Sequence, residues 1–64
     1  MCLSTVYCGS VGENNLLLGN VQRIECKDGQ VTLTDIMERQ ITVEGQILMA
    51  DLVGGKVIVA PAEQ

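Results

Sequence analysis

The chain has 64 residues, 47% of them apolar, and a net charge of −4. A chain this short buries only about 60% of the surface of its unfolded form, so its core is marginal unless a metal or a partner subunit adds to it. Four basic residues and a single aromatic residue, Tyr7, argue against binding to nucleic acids or to anionic membranes.

The absence of histidine restricts the chemistry further. Histidine is the commonest general base and the commonest imidazole metal ligand. Without it, no Ser-His or Cys-His pair can form within the chain, and mixed cysteine–histidine zinc sites are excluded. We therefore predict that the protein is not an enzyme.

Cysteine usage indicates a reducing compartment. The three cysteines, Cys2, Cys8 and Cys26, are odd in number and lack the paired spacing of a disulfide framework. The sequence shows neither a signal segment nor a run of about 18 apolar residues. We therefore expect a cytoplasmic protein that is not inserted in a membrane.

The first eight residues alternate as a strand does, with Leu3, Thr5 and Tyr7 on one face. The other face carries Cys2, Ser4, Val6 and Cys8. A strand that begins at the terminus brings a free amine, a backbone amide and a thiol close together.

These three groups form a candidate metal site. A metal bound by the Met1 amine, the deprotonated Cys2 amide and the Cys2 thiolate closes two five-membered chelate rings, a tetragonal arrangement that suits Ni(II) or Cu(II). The fourth ligand is left open between a second chain, the Met1 thioether and water. A second interpretation of Cys2 is also open, in which it is a small buried hydrophobe or only permits trimming of Met1.

The next predicted elements are a loop and a long strand. Residues 9–15 have loop composition. Residues 16–27 are predicted as one strand bent at Gly19 and Asn20, with Ile24 and Cys26 facing inward. A short helix over residues 16–18 is the alternative.

Asp28 and Gly29 predict a tight hairpin turn. In the following strand we expect Val31 and Leu33 to face inward and Thr32 and Thr34 outward.

Residues 35–39 must contain the next reversal of the chain. Ile36 and Met37 stay apolar there, which suggests a surface covered by something else, such as a second subunit.

The last third of the chain is predicted as further strands. Ile41 and Val43 face inward, and residues 44–45 give a weaker turn signal. Residues 46–52 fit either a buried strand or a single helical turn. Gly54 and Gly55 then predict a hairpin, and the final strand ends at Pro61.

Together, five or six short strands predict an all-β fold in a single small domain over residues 1–64. We expect a strongly bent antiparallel sheet that closes into an SH3-like barrel, with room for one short helical turn.

Three segments carry a family resemblance: residues 1–7, residues 31–37 after the Asp-Gly turn, and residues 50–52 before the last hairpin. In these segments the sequence resembles the CooT family of small accessory proteins of carbon monoxide dehydrogenase. The resemblance implies a homodimer of barrel-like subunits that binds Ni(II) and delivers it to the nickel-iron active site of that dehydrogenase.

At residue level, the resemblance assigns metal binding to Cys2, with Met1 beside it. Cys8 and Cys26 fall outside the motif and are interpreted as core residues, and Met37 and Met49 as core or interface residues. A dimer with a two-fold axis would cover Ile36 and Met37, and it would bring two Cys2 thiolates together at one shared ion.

The alternative function is a binding module without metal, in which the barrel serves as a protein-assembly subunit or binds RNA. The acidic charge balance weighs against RNA.

Overall fold

The computed structural model describes residues 3–61, which form five strands and one short 3-10 turn. The elements are β1 (Ser4–Cys8), the 3-10 turn (Glu13–Asn15), β2 (Leu16–Lys27), β3 (Gln30–Asp35), β4 (Gln40–Asp51) and β5 (Lys56–Pro61). The all-β class with one short helical turn is thus confirmed, but the turn lies at Glu13–Asn15, within the predicted loop, rather than at residues 16–18 or 46–52. No helix in the described residues is long and apolar enough to cross a membrane.

The strands form a closed barrel in chain order. Four of the neighbouring pairs are antiparallel, while β1 and β5 pair in parallel, with Val6 opposite Val57, and so close the ring. This ring of bent strands confirms the predicted SH3-like barrel, and the parallel closing pair is its one departure from an antiparallel sheet.

Strand β2 belongs to both halves of the barrel. Its first half pairs with β1 as far as Val21, and its second half pairs with β3 from Val21 to Lys27. Asn20 sits at the bend with φ +53°, a left-handed conformation that asparagine tolerates better than most residues. The predicted bend is therefore confirmed, and residues 16–18 are strand rather than helix.

Strand β4 is bent in the same way, at Gly45. Residues 40–44 pair with β3 and residues 45–51 pair with β5. A side chain at Gly45 would clash with the backbone carbonyl of Ala60. The turn suggested at residues 44–45 is therefore wrong: the close approach of two backbones bends the strand there without reversing it, and residues 46–51 continue as strand.

Tight turns join the other strands as predicted. Asp28 and Gly29 both have positive φ, +53° and +78°, as a two-residue hairpin turn of this kind requires. Residues 52–55 form the turn between β4 and β5.

The core is small. Among the described residues six apolar side chains are buried: Val6, Val21, Val31, Leu33, Val57 and Val59. Burial of one such side chain is worth about 1.5–3 kcal/mol, so each matters in a protein of this size. The inward positions predicted for Val31 and Leu33 are confirmed, and Ile24, Ile41 and Val43 pack against this core.

Thr34 departs from the prediction, because it is buried where we expected exposure. The Gln40 side chain donates a hydrogen bond from Nε2 to the Thr34 hydroxyl at 3.1 Å. The neighbouring strand thus covers this end of β3.

Candidate metal centre

The predicted metal site, Met1 and Cys2, lies outside the described residues. The first described residue, Leu3, follows Cys2 directly in the sequence. The structure therefore describes the part of the barrel around Leu3, where the predicted site is attached.

The turn between β4 and β5 holds the start of β1. The Thr5 amide donates a hydrogen bond to the Gly55 carbonyl at 2.8 Å. Gly55 has φ +73°, and a side chain there would lie 3.2 Å from the Leu3 carbonyl oxygen. A glycine is therefore needed where the turn approaches the backbone that follows Cys2.

The turn itself is braced by Asp51. Its carbonyl accepts the Gly55 amide, and its carboxylate accepts the Gly54 amide, both at 2.8 Å. The turn that lies against Leu3 is thus held by hydrogen bonds, even though residues 52–54 are exposed.

Two further segments lie at the same end of the barrel. Ser4 pairs with Val21, and Val21 pairs with Asp35. The Ile36 amide donates to the Asn20 carbonyl at 2.9 Å. We call this region the N-terminal end: the start of β1, the bend of β2, the β3–β4 loop (residues 36–39) and the β4–β5 turn (residues 52–55).

The N-terminal end exposes several apolar side chains. Met37 is 69% exposed, Leu52 is 73% exposed, and Ile36 and Val53 are exposed as well. Apolar side chains grouped at one end of a small domain mark an interaction surface. The sequence identified Ile36 and Met37; Leu52 and Val53 were missed, although apolar residues directly before a Gly-Gly turn were a usable signal.

A buried carboxylate holds the β3–β4 loop. Asp35 is only 1% exposed. Its Oδ1 accepts the amides of Met37 and Arg39, each at 2.9 Å, and its Oδ2 accepts Nε of Arg39 at 2.8 Å. The loop that displays Ile36 and Met37 is therefore closed around a single side chain.

Opposing effects set the pKa of Asp35. Burial raises the pKa, but the Arg39 amide, the Arg39 guanidinium and the Met37 amide all stabilise the charged form. The net result is a pKa below the usual range of an aspartate. Asp35 is therefore ionised at neutral pH and acts as a structural anchor.

The other sulfur-bearing residues lie on different elements of the barrel. Cys8 is half-buried at the end of β1, and Cys26 is exposed. Met37 and Met49 are both exposed, so they are not core residues, and the interface position offered as the alternative stays a prediction. Among residues 3–61, no three cysteine, aspartate or glutamate side chains gather closely enough to hold a metal ion.

The core position predicted for Cys26 is wrong, for a specific reason. Cys26 is directly opposite Val31, which is fully buried, so both side chains lie on the same face of the sheet. In the described structure, however, residues 22–27 of β2 have a strand neighbour on the β3 side only. The barrel is open beside Cys26, and water reaches an inward-facing side chain.

Comparison with known proteins agrees with this architecture. A crystal structure of a protein assigned to CooT from Carboxydothermus hydrogenoformans matches with a TM-score of 0.84, covering 97% of this chain and 100% of that one. The two sequences are 14% identical, so this likeness shows the shared fold. Comparison with curated protein sequences gives no significant match.

The fold and the family profile together define an accessory protein of carbon monoxide dehydrogenase built on a small SH3-like barrel. The profile described as "CO dehydrogenase accessory protein CooT" matches residues 1–60. The chain belongs to the CooT family.

Proposed function

We propose that this protein is a nickel metallochaperone that binds Ni(II) through Met1 and Cys2 and delivers it during maturation of carbon monoxide dehydrogenase. The observation that carries the proposal is the family match, which begins at residue 1 and so includes both proposed ligand residues. An accessory protein of a nickel enzyme that opens with a chelating Met-Cys pair is suited to carry the metal.

The chemistry of the pair supports transfer rather than storage. The amine, amide and thiolate donors of Met1 and Cys2 supply three positions of a square, which leaves the fourth for an exchangeable ligand. An acceptor ligand could enter at that position before the protein donors leave. The bond from Thr5 to Gly55 restrains the chain three residues beyond Cys2 and limits how far the donors can stray.

We propose that the protein is a homodimer joined at the N-terminal end. This end displays Ile36, Met37, Leu52 and Val53, the apolar side chains that a second subunit would cover. A stable dimer buries about 800 Å² on each partner, and a two-fold axis makes the contact self-complementary. Such an interface would also bring the Cys2 thiolate of the second subunit to the fourth position of one shared ion, where an acceptor ligand could displace it. We propose that the dimer works in the cytoplasm, where thiols stay reduced.

The test is a Ni(II) titration of the wild type, Cys2→Ser and Cys26→Ser. Cys26→Ser is the matched control, because Cys26 is an exposed free thiol outside the proposed site. We expect sulfur-to-nickel charge-transfer bands in the wild type and in Cys26→Ser, and their loss in Cys2→Ser. Equal bands and equal affinity in all three proteins would exclude Cys2 as a ligand.

Native mass spectrometry of the same samples checks the remaining parts of the proposal. The intact mass reports whether Met1 is retained, which the two-ring chelate requires. The mass of the nickel complex gives the number of ions per dimer, and we expect one.

A further inference from the structure

Strands β2 and β4 each have a strand neighbour on only one edge over much of their length. In the described structure, residues 46–51 of β4 pair with β5 alone, because the pairing of β4 with β3 ends at Glu44. Residues 22–27 of β2 likewise pair with β3 alone, because the pairing with β1 ends at Val21. Backbone donors and acceptors on such edges can pair with an added strand.

These two edges border a single groove. A cleft of about 280 Å³ lies between residues 22–24 of β2 and the end of β4 at Ala50 and Leu52. A second cleft, of about 270 Å³, lies between residues 26–30 and residues 45–47. The two clefts therefore follow one another along the strands, and we call them together the β2–β4 groove.

The groove exposes side chains that face the core. Ile47 is directly opposite Val59, and Cys26 is directly opposite Val31; both partners are buried, yet Ile47 and Cys26 are accessible. Residues 46–50 carry no charge and include neither lysine nor proline, the residues that commonly block edge pairing. The irregular register between Ile47 and Met49 and the charge of Asp51 at the end of the strand both oppose an added strand.

We propose that the β2–β4 groove binds an extended segment of the protein that accepts the nickel, by addition of a strand to the edge of β4. The inference rests on the proposed function, because it names the docking surface used for metal delivery. The cleft near the N-terminal end is lined by Ser4, two residues after Cys2 in the sequence. A segment bound along the groove would thus end next to the proposed donors.

A second copy of the chain is a poorer occupant of this groove. Antiparallel pairing of residues 46–51 with the same residues of a second copy would direct the two N-termini to opposite ends of paired strands about 20 Å long. The shared ion of the proposed dimer needs them together. A two-fold dimer uses one patch on each subunit, so contact at the N-terminal end leaves the groove from residues 45–47 to Ala50 free for another protein, and Leu52 lies where the two surfaces meet.

The experiment measures binding of the nickel-loaded protein to nickel-free carbon monoxide dehydrogenase. Ile47→Lys places a charge in the groove. Val11→Lys is the matched control, because Val11 is 48% exposed against 37% for Ile47 and lies in the loop after β1, outside the groove. We expect Ile47→Lys to weaken binding about tenfold or more and Val11→Lys to leave it unchanged. Nickel affinity and dimer mass should be the same in all three proteins.

Hydrogen exchange of the wild type gives a second readout that needs no variant. The enzyme should protect backbone amides in residues 46–51. Unchanged exchange there, equal binding by Ile47→Lys, or no binding by a wild type that does take up nickel would each overturn the docking surface and leave nickel binding intact. A monomeric Ile47→Lys would show that the groove is the subunit interface and would also overturn the inference. Loss of nickel binding in the wild type would instead contradict the proposed function.

Discussion

At the scale of single residues, Asp35 has the most consequential environment. The sequence showed it only as the first residue of a predicted reversal. In the structure its buried carboxylate accepts three hydrogen bonds from Met37 and Arg39. The Arg39 side chain is 75% exposed, so solvent screens its ion pair with Asp35. The hydrogen bonds from the two backbone amides therefore contribute more to holding the loop. This burial was not predictable from local pattern, because it depends on the loop folding back over Asp35.

We predict that Asp35→Asn lowers the melting temperature at pH 7, by on the order of 5 °C, because the amide keeps an acceptor but loses the charge. The folded pKa of Asp35 is lowered, so its contribution is complete above the usual carboxyl pKa of about 3.9 and is lost as the pH falls through the folded value. When thermal melts are recorded from about pH 7 down to about pH 3, the melting temperature should therefore fall more steeply in the wild type than in the variant.

Asp51→Asn is the control for this prediction. Asp51 also accepts a turn amide, from Gly54, but its side chain is exposed. Its replacement should shift the melting temperature less. Equal shifts in the two variants, or parallel pH profiles for wild type and Asp35→Asn, would contradict the anchoring role of Asp35.

At the scale of elements, the two bent strands decide the architecture. Both β2 and β4 have 12 residues and serve two neighbours in succession. The bend of β2 was predictable, because Gly19 and Asn20 interrupt an otherwise regular strand pattern. The bend of β4 was not, because a lone glycine after Glu44 also fits a hairpin turn. The contact with β5 decides between a bend and a hairpin turn, because the Ala60 carbonyl, distant in sequence, approaches Gly45 closely.

We predict that Gly45→Ala destabilises the protein by roughly 3 kcal/mol, because the new methyl group would force the backbones of β4 and β5 apart. Gly19→Ala is the matched control: a side chain there meets nothing within 4 Å, and the change should stay within about 0.5 kcal/mol. Urea unfolding followed by circular dichroism measures both. Similar stabilities for the two variants would show that the approach of Ala60 can relax without cost.

At the scale of the whole molecule, the five strands close into a ring, but the β2–β4 groove leaves part of the interior accessible to water. A small core, an open groove and an apolar N-terminal end leave much hydrophobic surface for partners to cover. We propose that the N-terminal end binds a second subunit and that the groove binds the acceptor of the nickel. Cys26 reports directly on the groove, because its side chain faces the open side.

We predict that Cys26 reacts with a thiol reagent such as Ellman's reagent much faster than Cys8 does, because Cys26 is exposed and Cys8 is half-buried. The measurement uses the Cys2→Ser background, so that two thiols remain. One fast and one slow thiol are expected, and Cys26→Ser should remove the fast one. Bound acceptor should slow the fast reaction; two thiols reacting at the same rate would contradict the open groove.

The sequence by itself determined the β class, the Asp28–Gly29 hairpin and the inward positions of Val31 and Leu33. Each of these depends on neighbouring residues alone: turn dihedral angles or the two-residue period of a strand. The metal chelate at Met1 and Cys2 is argued from the size of its chelate rings and stays a prediction. The family resemblance, which the match over residues 1–60 confirms, added the biological setting.

Only the tertiary structure decided that Cys26 faces inward yet meets water, that Asp35 is buried, and that β4 bends where a turn was suggested. It also gathered Leu52 and Val53 beside the start of β1. Each outcome depends on whether segments far apart in the chain approach one another. Local periodicity says which way a side chain points, and the arrangement of distant strands decides what it meets there.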